Sequence, residues 1–224
     1  MNFKAYPDRE LMMMDLADRM ASELGAALRH QDRVTLAVPG GTTPGPVFDA
    51  LCDVDLDWDR VDVLLTDERW VLESSDRSNT RLLRERLLTG HAAAARLLPL
   101  HAPAGRPEDV LGDLSAAIEA ALPISVLLLG MGEDMHIASL FPGADRLADA
   151  LDDDAPVLMA MRASGADEPR ITLTAPVLQG ALSIHLVITG PEKRAALERA
   201  TRLHDPMQAP VKAILRNATV HWAE

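Results

Sequence analysis

A repeating unit constrains this chain more than any other feature: a short apolar-rich run, a turn rich in glycine or charge, then a stretch with helical spacing. Such runs stand at 34–38, 61–65 and 124–129, with a weaker one at 97–100 and further extended candidates at 157–161, 170–173, 184–189 and 218–222. A strand that is apolar at successive positions has no solvent-facing side, so it belongs inside a sheet covered on both faces. Helical spacing is predicted over 8–29, 107–122, 191–201 and 207–215, and in shorter stretches behind the turns at 39–44 and 66–79. In the first helix Leu11, Met14, Leu16, Met20, Leu24 and Leu28 keep approximate helical spacing, which reads as a core-facing stripe. Parallel strands require crossover connections, and the helices supply them. The expected fold is α/β: a single open, mostly parallel, Rossmann-like sheet with helices on both faces. It is expected to be one domain over 1–224, since no Pro/Gly/Ser-rich linker divides the chain.

Charge narrows the partners. With 22 Lys plus Arg against 34 Asp plus Glu, the formal charge is −12, which argues against nucleic acid or an anionic membrane surface as partner. An anionic small molecule must then be met by positive groups gathered locally. The apolar clusters of the first thirty residues are interrupted by Asp8, Arg9, Glu10, Asp15, Asp18 and Arg19, unlike a signal peptide, and no later run is long enough to span a bilayer. The expected address is the cytoplasm, with the chain a monomer or a small homo-oligomer. Cys52 is the one cysteine, which excludes an intrachain disulfide and C-x-x-C arrangements, and it reads as a small core residue. The sequence shows no metal-ligand cluster, and no cofactor is expected.

In open parallel sheets ligands bind beyond the carboxyl ends of the strands, so the residues directly after each run are the informative ones. The first such segment, Gly40-Gly41-Thr42-Thr43-Pro44, fits a phosphate cradle of close-approaching backbone and hydroxyls, and fits equally a turn followed by a helix cap. Neither a Walker lysine pattern nor G-x-G-x-x-G is present, which disfavours a nucleotide. The second, Asp67-Glu68-Arg69, offers a planar guanidinium suited to phosphate, with a surface ion pair as the plain alternative. The third runs from Gly130 to Gly143 and sets His136 behind a glycine-rich turn, at the predicted start of a short helix. Histidine is the side chain best suited to move protons near neutral pH. His30, His91, His101, His185, His204 and His221 lack such a setting and read as structural.

Taken together these blocks resemble the 6-phosphogluconolactonases, within the broader group that also holds the glucosamine-6-phosphate deaminases. The resemblance is carried by PGGTTP at 39–44, TDERWV at 66–71 with SNTRLL at 78–83, GMGEDMHIASLFPG at 130–143, RITLT at 170–174 and TGPEKR at 189–194. The blocks occur in the family's order and span almost the whole chain. The resemblance implies an open α/β sandwich and hydrolysis of a phosphorylated sugar lactone, 6-phospho-D-glucono-1,5-lactone, in the oxidative pentose phosphate pathway. It implies that Gly40, Gly41, Thr42, Arg69 and Lys193 hold the substrate phosphate and that His136 activates the attacking water. Arg170 matches the arginine of the RITLT block, where a substrate contact and an ion-pairing or packing role both fit.

Lactone hydrolysis needs a base for water, donors for the tetrahedral oxyanion and an acid for the departing ring oxygen. His136 can serve first and last in turn, with Asp67 expected to orient or charge-tune it across the strand ends. Backbone N–H groups of the Gly130–Gly132 turn or of the Gly40 loop are the candidate oxyanion donors. One position departs from the family pattern: its block reads D-G-H, and here Met135 stands between Asp134 and His136. If that glycine has positive φ, Met135 is strained. The HIA triplet at 136–138 resembles the deaminases, whereas Leu140-Phe141-Pro142 lacks the deaminase glutamate, and Arg69 follows the lactonase pattern. A deaminase and a non-catalytic sugar-phosphate-binding protein are the alternative readings.

Overall fold

The computed structural model describes residues 1–164 and 166–224. Its strands are β1 (Asn2–Ala5), β2 (Val34–Val38), β3 (Val61–Leu65), β4 (Asp67–Arg69), β5 (Arg96–Leu98), β6 (Val126–Gly130), β7 (Leu158–Met161), β8 (Arg170–Leu173), β9 (Ser183–Thr189) and β10 (Thr219–Ala223). The α-helices are α1 (Arg9–Leu28), α2 (Gly45–Leu51), α3 (Asn79–Arg86), α4 (Leu111–Glu119), α5 (Leu147–Leu151), α6 (Ala175–Gln179), α7 (Gly190–Arg202) and α8 (Lys212–Leu215).

Seven strands form one sheet in the order β1-β10-β9-β6-β2-β3-β5. Every pairing in it is parallel. β2 and β3 are buried at every position, as strands covered on both faces must be. Residues from Tyr6 to Ala223 contribute to one buried apolar cluster. The α/β fold with its mostly parallel sheet is thus as the sequence predicts.

A second sheet was not anticipated. β4, β8 and β7 form a three-stranded antiparallel sheet, with Asp67 opposite Thr172 and Arg69 opposite Arg170. The segments 157–161 and 170–173, predicted as strands of the main sheet, belong here. So does the charged triplet Asp67-Glu68-Arg69, which continues from β3 with only Thr66 between.

α1 begins behind Asp8, which caps it: Asp8 Oδ1 accepts the Leu11 N–H at 2.8 Å. Its core face is Met13, Leu16, Ala17, Met20, Leu24 and Leu28, joined by Met12 and Ala21. Leu11 and Met14, expected in that stripe, are exposed. The predicted helix over 107–122 is shorter, a 3-10 turn at Pro107–Val110 running into α4. The one predicted over 207–215 contracts to α8. Among the described residues no helix is long and apolar enough to cross a membrane.

Candidate active site

From β2 the chain steps to β3 and β5 on one side, and from β6 to β9 and β10 on the other. The crevice of such a sheet lies where the direction reverses, between the carboxyl ends of β2 and β6. A cleft of about 370 Å³ opens there. Its lining includes all eight residues expected from the sequence: Gly40, Gly41 and Thr42 after β2, Asp67 and Arg69 on β4, His136 after β6, Arg170 on β8 and Lys193 in the first turn of α7.

His136 sits on a closed turn. Gly132 N–H donates to His136 O at 3.0 Å and Met135 N–H donates to Gly132 O at 3.0 Å, so Glu133, Asp134 and Met135 form a three-residue connection. The third position of such a connection takes left-handed backbone, and Met135 has φ 69°. The expectation of strain at Met135 therefore holds. The turn is pinned from outside by Val211 N–H on Met135 O at 3.0 Å and by Arg199 of α7 on Glu133 O at 2.9 Å. A Cβ on Gly132 would collide with His136 Nδ1 and Asp134 Oδ1, so glycine there is what lets the two side chains meet over the turn.

His136 Nδ1 lies 2.6 Å from Asp134 Oδ1. A carboxylate can only accept, so Nδ1 carries the hydrogen and Nε2 is left with its lone pair free in the neutral ring. The hydrogen bond from His136 is the main cause that lowers the Asp134 pKa, against the opposing effect of partial burial. The imidazole also lies against Phe141, ring centroids 4.3 Å apart.

Two expectations about this segment are corrected. No helix follows His136: Ala138 has φ 48° and Ile137 bridges to Leu140, so the chain turns back instead. Nor does Asp67 orient His136 directly, since no hydrogen bond joins them and Asp134 occupies that role. The Asp67 carboxylate accepts from Ser139 Oγ at 2.6 Å and from Thr66 Oγ1 at 3.3 Å, and lies 3.7 Å from the Arg170 guanidinium. It therefore ties the His136 segment to the small sheet through Ser139, three residues on. A third correction concerns the glycine turn: the Gly132 N–H, a candidate oxyanion donor, is already taken by His136 O.

Positive groups gather in the same cleft, Arg170 lying over the Phe141 ring that His136 also touches. Arg69 and Arg170 are cross-strand neighbours, and each has a buried Nε with no hydrogen-bond partner. Burial lowers the Arg170 pKa, and Asp67 opposes that shift. A buried N–H with no partner costs free energy unless a ligand supplies the acceptor, so two such groups lining one cleft fit an anion. Among the described residues, no acceptor takes the N–H of Gly40, Gly41 or Thr42, and Gly41 has φ 85°. No group of three His, Cys, Asp or Glu side chains that could hold a metal ion occurs among the described residues.

The sequence matches the family described as glucosamine-6-phosphate isomerases/6-phosphogluconolactonase over residues 7–222. The chain belongs to this family. A curated relative from Mesorhizobium japonicum, named 6-phosphogluconolactonase, is 41% identical over 99% of this chain and 95% of its own length. One of the same name from Pseudomonas aeruginosa is 42% identical over 92% of this chain and 88% of its own. The crystal structure of a 6-phosphogluconolactonase from Shewanella baltica superposes with a TM-score of 0.96 at 31% identity, covering 100% of this chain and 97% of that one. A monomeric glucosamine-6-phosphate deaminase at 15% identity, TM-score 0.81, shares the fold.

Three residues that support the cleft escaped the sequence reading. Asp134 carries a usable signal, an acid two residues before the histidine within one turn. Glu68 and Asn79 carry only their neighbourhood in the DER and SN blocks, because their contacts are made in the folded chain. Glu68 is 1% exposed and accepts from the backbone N–H of Arg69, Asn79 and Thr80 at 2.8, 2.8 and 2.7 Å. It also accepts from the hydroxyls of Ser78 and Thr80 at 3.1 and 2.7 Å.

Proposed function

We propose that this chain hydrolyses 6-phospho-D-glucono-1,5-lactone to 6-phosphogluconate, the lactonase step of the oxidative pentose phosphate pathway, as the names of its relatives indicate for them. One observation carries the reading: a histidine with only Nε2 free and a cluster of unpartnered cationic and amide donors line the same cleft. A phosphorylated lactone needs both, one for water and one for phosphate.

In the proposed reaction His136 Nε2 removes a proton from water as the oxygen attacks the lactone carbonyl carbon. The resulting imidazolium is stabilised by the Asp134 carboxylate on Nδ1. The tetrahedral oxyanion then collapses, the bond from the carbonyl carbon to the ring oxygen breaks, and the proton on Nε2 passes to that oxygen. Arg69, Arg170, Lys193 and the Gly40-Gly41-Thr42 amides hold the phosphate, and their fixed placement sets the carbonyl over His136. Asp67 holds Ser139 and balances the charge of Arg170. Every residue used lies in one copy of the chain, taken as a single unit over 1–224, and a cytoplasmic address suits its phosphorylated substrate.

The test is the rate of loss of freshly generated 6-phosphogluconolactone, corrected for spontaneous hydrolysis. The wild-type chain should accelerate it, and His136→Ala should lose about 10²–10⁴-fold in kcat. No acceleration by the wild-type chain sinks the substrate assignment, and ammonia release from glucosamine 6-phosphate then becomes the assay. An active His136→Ala keeps the function and removes the base.

A further inference from the structure

Arg69 has five N–H hydrogens, and the structure accounts for those of one nitrogen. Nη1 donates to Asn79 Oδ1 at 2.9 Å and to Arg77 O at 2.8 Å, which uses both of its hydrogens. The edge left over is Nε with Nη2, the planar fork that grips two oxygens of one phosphate, and its Nε is buried without a partner.

Asn79 is itself held at every polar atom that faces these elements. Its Nδ2 donates to Asp67 O at 2.9 Å, and its backbone N–H donates to Glu68 Oε1 at 2.8 Å. A Cβ on Gly40 would collide with the Asn79 amide, so the phosphate-loop backbone packs directly on this side chain. A single buried amide at the start of α3 thus touches β4 twice and the loop after β2.

We infer that Asn79 is a positioning residue: it locks the Arg69 guanidinium with its Nε–Nη2 edge free for the substrate phosphate, and so sets the preference for a phosphorylated lactone. The inference rests on the proposed reading of the cleft. An asparagine suits the post because it accepts from Arg69 and donates to Asp67 O at once, without adding a charge that would neutralise the guanidinium or repel the anion. Glu68 supplies the rigidity by holding the Asn79 backbone.

The experiment is a double-mutant cycle on 6-phosphogluconate binding, measured by calorimetry on wild type, Asn79→Ala, Arg69→Ala and the double variant, with KM and kcat for the lactone beside it. Asn79→Ala should weaken binding about tenfold, the effect of one charge-assisted hydrogen bond. The loss should appear in KM more than in kcat. In the Arg69→Ala background the same substitution should have almost no further effect, because the group it positions is gone. A purely structural asparagine would weaken both backgrounds equally, and that additivity overturns the inference, as does unchanged binding by Asn79→Ala. Asn79→Ser, in the same cycle, replaces the alanine variant if the latter does not fold. Failure of the wild-type chain to bind 6-phosphogluconate removes the substrate reading and the inference with it.

Discussion

Met135 spends its conformational freedom on the site. With φ at 69° it holds the left-handed backbone that glycine adopts without penalty, and that costs an L-residue about 1–2 kcal/mol. The turn keeps this backbone because four contacts over-determine it: the two hydrogen bonds that close it and the anchors from Val211 and Arg199. Met135→Gly should therefore change the unfolding free energy by less than about 1 kcal/mol, since released strain is offset by glycine's chain entropy and by lost packing of the half-buried methionine. Met135→Ile should lower it by about 2 kcal/mol, because a β-branched side chain crowds left-handed backbone most. Urea denaturation of both variants checks the pair. Equal stability would mean that residue 135 is not held in this conformation in solution.

Among the elements, β4 is the least expected and the most consequential. Strand alternation places Asp67 and Arg69 toward the cleft and Glu68 on the opposite face, where it receives the start of α3. A buried carboxylate is tolerable only when its acceptors are filled, and five donors fill this one. Glu68→Gln turns an NH2 toward those donors and should cost about 2–3 kcal/mol, with faster amide hydrogen exchange across Asn79 to Leu83. Unchanged exchange there would show that Glu68 does not dock α3. This strand also shows where the sequence stopped being readable. β2, β3 and β6 declare themselves because their interior position demands mostly apolar residues, with Thr35 and the ion-paired Asp62 as the exceptions. β4 is Asp-Glu-Arg, held by hydrogen bonds that only the folded chain supplies, and β1 is an exposed edge strand with Phe3 as its one large apolar residue. The cleft lining was legible where it follows predicted strands, at Gly40, Arg69, His136 and Lys193, while Arg170, the first residue of β8, was legible only through the RITLT block. It was opaque at Asn79, which reaches the cleft from the start of a helix.

At the scale of the whole molecule, a buried polar ladder joins the two ends of the chain. His185 on β9 contacts Glu23 of α1 at 2.9 Å through Nε2 and His221 of β10 at 3.0 Å through Nδ1. His221 Nδ1 in turn lies 2.8 Å from the Tyr6 hydroxyl, which donates to Asp15 at 2.6 Å. Lys4 and Arg19 complete the charge around Asp15. Burial first, and the neighbouring His185 second, push the His221 pKa down to about 3. An unfolded histidine titrates near 6.5, so below that pH the unfolded chain gains a proton that folded His221 refuses until about 3. The contribution of His221 is thus fully present above about pH 6.5 and is lost as pH falls, at about 1.4 kcal/mol per unit. Glu23 and Asp15 have lowered pKa values, so both stay ionised in the folded and unfolded chain above about pH 5, and that window isolates the histidine. Replacing His221 by glutamine, which keeps a donor and an acceptor but does not titrate, should cost stability at pH 7. It should also flatten the change in unfolding free energy between pH 7 and pH 5 by about 2 kcal/mol. Urea denaturation at the two pH values measures the difference, and parallel behaviour of the two proteins would move the acid sensitivity of the fold away from His221.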